Sequence, residues 1–445
     1  MRTAQSLAGP INVPSIALGA RILGDPVTAH STVAPNGDPR PRFPEMGDEP
    51  IKTLKIGYLS TDKRRFPAYI PAMRTLTARL LAVCGLALLG LIAAGSAGQA
   101  PAQAPAQSPS VWQWPVSTPE EQGLDPKVLA DVVDLIRKNE ILPRLHYLII
   151  VRHGRLVLEE NFHGWGPGKL HTLQSVSKSF TSALVGIAIA RGEFKGVDER
   201  VLDFFPDMMG IANMDERKAS MRLQDILTMR TGTDYHEDGP ASPHYQLNGL
   251  ATGWDKFYLD RPMIAAPGTS FRYDSGGVIL ISAMLKARTG MHALEYAKRY
   301  LFKPLGIEQL FWFGNAEGQT HCGGGLNLAA RDAAKLGQLY LNKGRWGDVQ
   351  VLPEKWVEES LKMHVDLTVA GQPPSGYGYL WWVWAPDYRG KTGEYIFAAR
   401  GRGGQYVIVV PEYDMVVAMC GDAKPGAESG QPISVFYDRI LPAVK

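Results

Sequence analysis

Residues 145–151, LHYLIIV, are apolar at nearly every position. A strand with one wet face alternates apolar and polar residues, so a run without alternation has to be covered on both sides. A second β-rich run, residues 156–162, follows across Arg152-His153-Gly154-Arg155, and the glycine turn makes the pair a hairpin. The next β-rich runs come at the far end of the chain, at residues 377–384, 394–400, 405–410 and 415–420. Residues 193–335 between them read as mainly helical. The chain is therefore expected to build one sheet from its two ends and to insert a helical body between them.

Helices supply the cover. Asp125-Pro126 is a helix start, with Asp as cap and Pro in the first turn, and Val128, Leu129, Val132, Val133, Leu135 and Ile136 follow at helical spacing. A helix opening at Ser175 carries Phe180, Leu184, Val185, Ile187, Ala188 and Ile189 before Gly192, and is apolar almost all round, as a core helix is. Further helices are expected at residues 223–229, 278–288, 293–301 and 329–341. Residues 231–268 read as loop, and their aromatics Tyr235, Tyr245, Trp254 and Tyr258 as either pocket walls or packing.

The first hundred residues differ in character. Residues 1–72 are rich in Pro, Gly and Arg, with at most one short strand at 51–60, and read as a non-native or disordered extension. From Met73-Arg74 and Arg79 the chain enters an apolar run, residues 80–94, followed by Gly95-Ser96-Ala97. A basic start, a short apolar stretch and small residues are the layout of a signal peptide, here 73–97, with translation expected to begin at Met73. The run is short of the roughly 20 residues a membrane span needs. Residues 98–110 form an Ala/Pro-rich linker, and 111–445 the folded domain. A periplasmic or secreted protein is expected, with no stable membrane partner unless residues 80–94 are retained as an anchor. The net charge of +3 over 445 residues gives no reason to expect nucleic acid. The cysteines lack metal-ligand spacing, and Cys322 and Cys420 read as separate buried thiols in preference to a pair. The histidines, His153 and His163 among them, show no paired-ligand pattern, so neither metal nor cofactor is expected.

Three short stretches carry chemistry. Ser175-Val176-Ser177-Lys178 places a serine and a lysine one turn apart on one face of a helix start. There a serine N–H can stabilise an oxyanion. Burial disfavours a charged ammonium, which lets a lysine accept a serine proton. Ser60-Thr61-Asp62-Lys63 has the same spacing but no core helix around it. Pro267-Gly268 then leads to Tyr273-Asp274-Ser275 just ahead of a helix, and a tyrosine beside a lysine can pass a proton to a leaving group. Finally, a strand end must supply the second oxyanion N–H. Lys391-Thr392-Gly393 lies at the wrong end of its strand, so the position falls to Ala399-Arg400-Gly401, before the turn Gly401-Arg402-Gly403-Gly404 and Gln405. No Gly-x-Ser-x-Gly elbow is present.

In this order the motifs resemble the serine β-lactamase and penicillin-binding protein superfamily, in its class C-like esterase and 6-aminohexanoate-dimer-hydrolase-like branch. Pro304-Leu305-Gly306, Gly323-Gly324-Gly325-Leu326-Asn327 and Ala330-Arg331-Asp332 extend the likeness over about residues 115–440. The resemblance implies an α+β, β-lactamase/transpeptidase-like fold, an antiparallel sheet flanked by helices plus an all-helical lobe, with the site at their seam. It implies Ser175, Lys178 and Tyr273 as catalytic residues, and Ser275, Arg400, Gly401, Arg402, Gly403 and Gln405 as substrate-binding or oxyanion residues. Two departures stand out: Ser275 occupies a usual asparagine position, and Ala399-Arg400-Gly401 a usual Lys-Thr-Gly. They favour an esterase or amidase acting on a small-molecule ester, amide or peptide. A non-catalytic cell-wall peptide binder, and a D-alanyl-D-alanine peptidase or β-lactamase, are the alternatives.

Overall fold

The computed structural model describes residues 113–370, 374–385, 392–424 and 427–445. The expected extension, signal peptide and linker, and Cys84 and Lys391, lie outside them.

The hairpin forms as β1 (Leu145–Arg152) and β2 (Arg155–Asn161). The late strands are β3 (Val365–Asp366), β4 (Ser375–Tyr377), β5 (Trp382–Trp384), β6 (Ile396–Gly401), β7 (Gln405–Val410) and β8 (Met415–Gly421). They make one antiparallel sheet in the order β2-β1-β8-β7-β6-β5-β4-β3. β1 and β8 are thus neighbours, with Ile149 opposite Ala418, although the helical body separates them in sequence.

Period-two geometry explains the unbroken apolar runs. Tyr147, Ile149 and Val151 of β1, Val407 and Val409 of β7, and Val416 and Ala418 of β8 pack into one core. Leu148 and Ile150, Ile408 and Val410, and Val417 and Met419 pack into a second core on the opposite face. The second core is closed by α1 (Pro126–Arg137), through Leu129, Val132, Val133 and Ile136, and by Phe436, Tyr437 and Ile440 near the C-terminus. Asp125 caps α1, accepting from the N–H groups of Lys127 and Val128. The first core is shared with α2 (Ser177–Ala190), α3 (Ser275–Thr289) and α4 (Ala330–Leu341). Gly337 lets α4 lie close on the sheet, since a Cβ there would stand 2.7 Å from Val416 and 2.8 Å from Val407.

Two expectations change, and the reading of the cysteines holds. Residues 377–384 do not form one strand: Leu380 adopts φ +64°, and a Cβ on Gly378 would stand 2.2 Å from the Ser360 carbonyl, so the chain turns between β4 and β5. Residues 231–268 are not simply loop, because they hold two short helices, Pro243–Asn248 and Trp254–Leu259. Tyr235, Trp254 and Tyr258 are fully buried packing residues, whereas Tyr245 is exposed. Cys322 and Cys420 are separate buried thiols, each pushed up to about 12 by burial. Among the described residues no helix is long and apolar enough to cross a membrane.

Candidate active site

Ser175 is not the first residue of a regular helix, as its sequence context suggests. It sits in a tight 3-10 turn, Gln174–Val176, that leads into α2. Gln174 holds φ +48°, a left-handed conformation that is uncommon for a residue other than glycine. The turn is braced by the Ser177 hydroxyl, which donates to the Gln174 carbonyl at 2.6 Å and accepts from the Leu326 N–H at 3.1 Å.

One turn on, Lys178 is almost wholly enclosed at 1% exposure. Its Nζ lies 3.0 Å from Ser175 Oγ, 2.7 Å from Ser275 Oγ and 2.6 Å from the Gly323 carbonyl oxygen. Nζ also sits over the Tyr273 ring, 4.7 Å from its centre, so the lysine meets that tyrosine through its face. Tyr273 in turn stacks on Trp382. The Gly323 carbonyl reaches Lys178 because position 323 has no side chain. A Cβ there would stand 2.7 Å from the Ser275 carbonyl oxygen and 2.9 Å from the Ser275 Cβ.

Tyr273 and Ser275 are held by the residue between them. Asp274 caps α3: its carboxylate accepts from the Gly277 N–H at 2.8 Å, from the Thr231 hydroxyl at 2.8 Å and from the Tyr258 hydroxyl. Burial pushes this carboxyl up to about 6, against the three hydrogen bonds that favour the charge. The native state then binds the proton more tightly than the unfolded chain. The stabilisation is fully present below the ordinary value of 3.8 and is lost as pH rises through about 6. Wild-type stability relative to Asp274→Asn should therefore fall over that window, by at most about 1.4 kcal/mol per pH unit. Urea unfolding of both proteins at several pH values checks this.

The end of β6 lies against the nucleophile turn. A Cβ on Gly401 would stand 2.5 Å from the Leu173 carbonyl oxygen and 3.0 Å from both the Ser175 nitrogen and the Gln174 Cβ. The backbone at 401–402 is thereby brought beside the Ser175 N–H, where a paired oxyanion site is assembled in acyl transfer. Gly401→Val should force the strand away and lower kcat for ester hydrolysis by about 10²–10³, the loss expected for one oxyanion donor. Steady-state kinetics on a p-nitrophenyl ester checks this.

Two cavities meet at Ser175. The larger, about 490 Å³, is lined by Tyr273, Trp382, Arg272, Arg400 and Arg402 together with Glu237 and Asp238. Arg400 projects over the rings of Trp382 and Tyr406, and Arg402 donates to the Tyr245 hydroxyl at 3.4 Å. The smaller, about 210 Å³, is walled by Gln174, His244, Asn248, Ser275, Phe313 and His321. Its histidines are held in a hydrogen-bonded row, from Tyr235 through His244 and Asn248 to His321. Burial, with Lys178 adding to it, pushes His321 down to about 3 and also lowers His244. The histidine side of that cavity is therefore polar but uncharged near neutral pH, while Glu237 and Arg402, which line both cavities, bring charge to it.

The structure thus brings together Ser175, Lys178, Tyr273, Ser275, Arg400, Gly401 and Arg402. It places Gln405 and Gly403 elsewhere. The Gln405 amide is buried and spent on the backbone, donating to the Arg402 and Gly421 carbonyls and accepting from the Gly421 N–H. Gly403, at φ +82°, faces a separate hollow of about 10 Å³ with Leu142, Pro143 and Pro432. Both residues shape the turn that carries Arg402 and do not line the cavities. Thr392-Gly393 precedes β6 at the end away from Gly401, and the Gly393 N–H is held by Glu412. The sequence reading missed Glu237, His244, Asn248, His321 and the Gly323 carbonyl. Of these only Gly323 lay in a motif that had been singled out.

The β-lactamase family model matches residues 146–434, the span that holds the sheet, the helical body and all of these groups. The chain belongs to the β-lactamase family. Among curated proteins it is 25% identical to the 6-aminohexanoate-dimer hydrolase of Paenarthrobacter ureafaciens over 288 residues, 60% of this chain and 70% of that protein. A Bacillus anthracis structure assigned as a 6-aminohexanoate-dimer hydrolase superposes with a TM-score of 0.61 at 19% identity, covering 74% of this chain and 87% of that one. EstCE1, described as a hydrolase with promiscuous acyltransferase activity, superposes with a TM-score of 0.57 at 17% identity, covering 72% and 98%. The solved structures establish the β-lactamase/transpeptidase-like fold, and the family model with the curated relative supports a hydrolase.

Proposed function

We propose that this β-lactamase-family hydrolase cleaves an ester or amide bond through an acyl-enzyme on Ser175. The observation that carries the reading is the 3.0 Å approach of the buried Lys178 Nζ to Ser175 Oγ, which puts a base within reach of the nucleophile. Ser175 Oγ attacks the substrate carbonyl carbon and Lys178 takes its proton. The N–H groups of Ser175 and Arg402 hold the oxyanion. The carbon–leaving-group bond then breaks as Tyr273 hands its proton to the leaving group and takes the Lys178 proton in return; water then attacks the acyl carbon, gives one proton to the neutral Lys178, and Lys178 returns it to Ser175 Oγ as the acid leaves.

Two cavities of unequal size beside one nucleophile suit a substrate with a bulkier part on one side of the scissile bond and a small polar part on the other. The relative named for hydrolysis of a 6-aminohexanoate dimer and the neighbour described with acyltransferase activity support acyl chemistry. We also propose export to the periplasm or beyond, on the layout of residues 73–97. The activity is tested by incubating the purified protein with p-nitrophenyl esters, short amides and nitrocefin. Turnover of esters or amides ahead of nitrocefin supports the reading, and preferential nitrocefin turnover favours a β-lactamase.

A further inference from the structure

A proton donor acts only where its hydroxyl comes within hydrogen-bond reach of the leaving-group oxygen. Among the described residues no hydrogen bond holds the Tyr273 hydroxyl in such a place. Its chain neighbours are anchored: the Arg272 N–H donates to the Met229 carbonyl at 2.9 Å, and Asp274 caps α3. Those bonds fix the backbone at 273 and leave the ring to be placed by packing.

Two contacts do the placing. Lys178 Nζ lies 4.7 Å from the centre of the Tyr273 ring. The Trp382 indole runs nearly parallel to that ring, at 19° and 6.2 Å centre to centre, an offset stack. Trp382 is itself firmly seated. It stands on β5, opposite Tyr377 of β4 on one side and Ala398 of β6 on the other. Its ring meets the buried Tyr377 edge to face at 5.1 Å, and the Arg400 guanidinium lies 5.6 Å from its centre. The stack therefore joins a residue of the sheet to one of the helical body, beside the nucleophile.

We propose that Trp382 is a positioning residue: its indole face fixes the Tyr273 ring so that the Tyr273 hydroxyl meets the leaving-group oxygen. The role rests on the acyl-enzyme reading. In acylation the carbon–oxygen bond to the leaving group breaks, the departing oxygen takes the Tyr273 proton, and Tyr273 takes one from Lys178. Trp382 exchanges no proton. The same indole also lines the larger cavity. A mere wall would act on every substrate alike, whereas a support for the proton donor matters most when the leaving group is basic.

Acetate esters of p-nitrophenol, p-chlorophenol, phenol and p-methoxyphenol separate the two. They share an acyl group and a similar shape, and their leaving groups grow more basic in that order. The readout is the slope of log kcat/KM against leaving-group pKa. It is measured for wild type, Trp382→Ala, Trp382→Phe, Tyr273→Phe and the Trp382→Ala, Tyr273→Phe double variant. Trp382→Ala should lose least on the p-nitrophenyl ester and roughly 10²-fold on the p-methoxyphenyl ester, which steepens the slope. Trp382→Phe, which keeps a flat ring face, should recover much of that loss. The double variant should match the slope of Tyr273→Phe, because without the hydroxyl there is nothing to place. An equal loss on all four esters would make Trp382 a wall and overturn the proposal. So would a slope unchanged in Trp382→Ala, or one steeper in the double variant than in Tyr273→Phe. If Trp382→Ala does not fold, Trp382→Leu, which fills space without a flat face, must steepen the slope, and an unchanged slope overturns the proposal. A wild-type slope in Tyr273→Phe would remove Tyr273 as the proton donor and the proposal with it. A wild-type protein that hydrolyses none of the four esters fails the acyl-enzyme reading, on which the proposal stands.

Discussion

Ser175→Ala is expected to cut ester turnover by about 10⁴–10⁶, the scale on which an enzyme loses its nucleophile but keeps its binding site and oxyanion donors. The change removes one oxygen from a half-buried position. That oxygen lies 3.0 Å from Lys178 Nζ and faces both cavities, whereas the brace of the turn runs through Ser177. The 3-10 turn and α2 should therefore survive, and circular dichroism and melting temperature should stay near wild type. A large fall in kcat with the fold intact is the result that assigns the chemistry to this oxygen. A variant that retains wild-type hydrolysis would remove Ser175 from the mechanism.

The second large effect concerns Lys178. Lys178→Arg keeps a positive charge and hydrogen-bond donors, so a purely electrostatic role would tolerate it in part. Arginine stays protonated at all working pH values and has no lone pair to offer. The account predicts a loss of about 10²–10⁴ in kcat, the range ascribed to a general base. Lys178→Met, similar in length and without charge, should fall as far, and it also leaves Ser275 and the Gly323 carbonyl without their partner. Steady-state kinetics on a p-nitrophenyl ester, with thermal melts to confirm folding, separates the cases. Substantial activity in Lys178→Arg would show that the lysine acts as a charge and not as a base.

The sheet was legible in the sequence because it is covered on both faces. Apolar runs such as residues 145–151 and 405–410 have no other use in a chain of this kind, and the structure divides their side chains alternately between two cores. The strand broken at Leu380 was not legible, since its aromatic residues continue across a turn that depends on Ser360 and Leu227 from distant segments. The short helices in 231–268 escaped for a different reason: each makes under two turns, too few to show a period.

At the site, Ser175, Lys178, Tyr273 and Ser275 were legible through the order of their motifs together, since the Ser-x-x-Lys spacing alone also fits Ser60 and Lys63. Glu237 was not, because a glutamate between His236 and Asp238 carries no pattern, and its meaning comes from a contact with Ser275 across 38 positions. Gln405 shows the converse. Its place in a glycine-rich turn beside the site suggested a substrate contact, yet a polar side chain that closes a turn onto the next strand gives the same sequence signal. The Lys-Thr-Gly expected by likeness is met by a strand end without a lysine, with Arg400 and Arg402 projecting into the larger cavity in its stead.

The central claim is a covalent intermediate on one oxygen. Intact-mass spectrometry after brief exposure to a fluorophosphonate, followed by peptide mapping, tests it most directly. The account predicts one adduct per chain, on the peptide containing Ser175, absent from Ser175→Ala and formed far more slowly by Lys178→Arg. An adduct on another residue, or none on a folded wild-type protein, would contradict it.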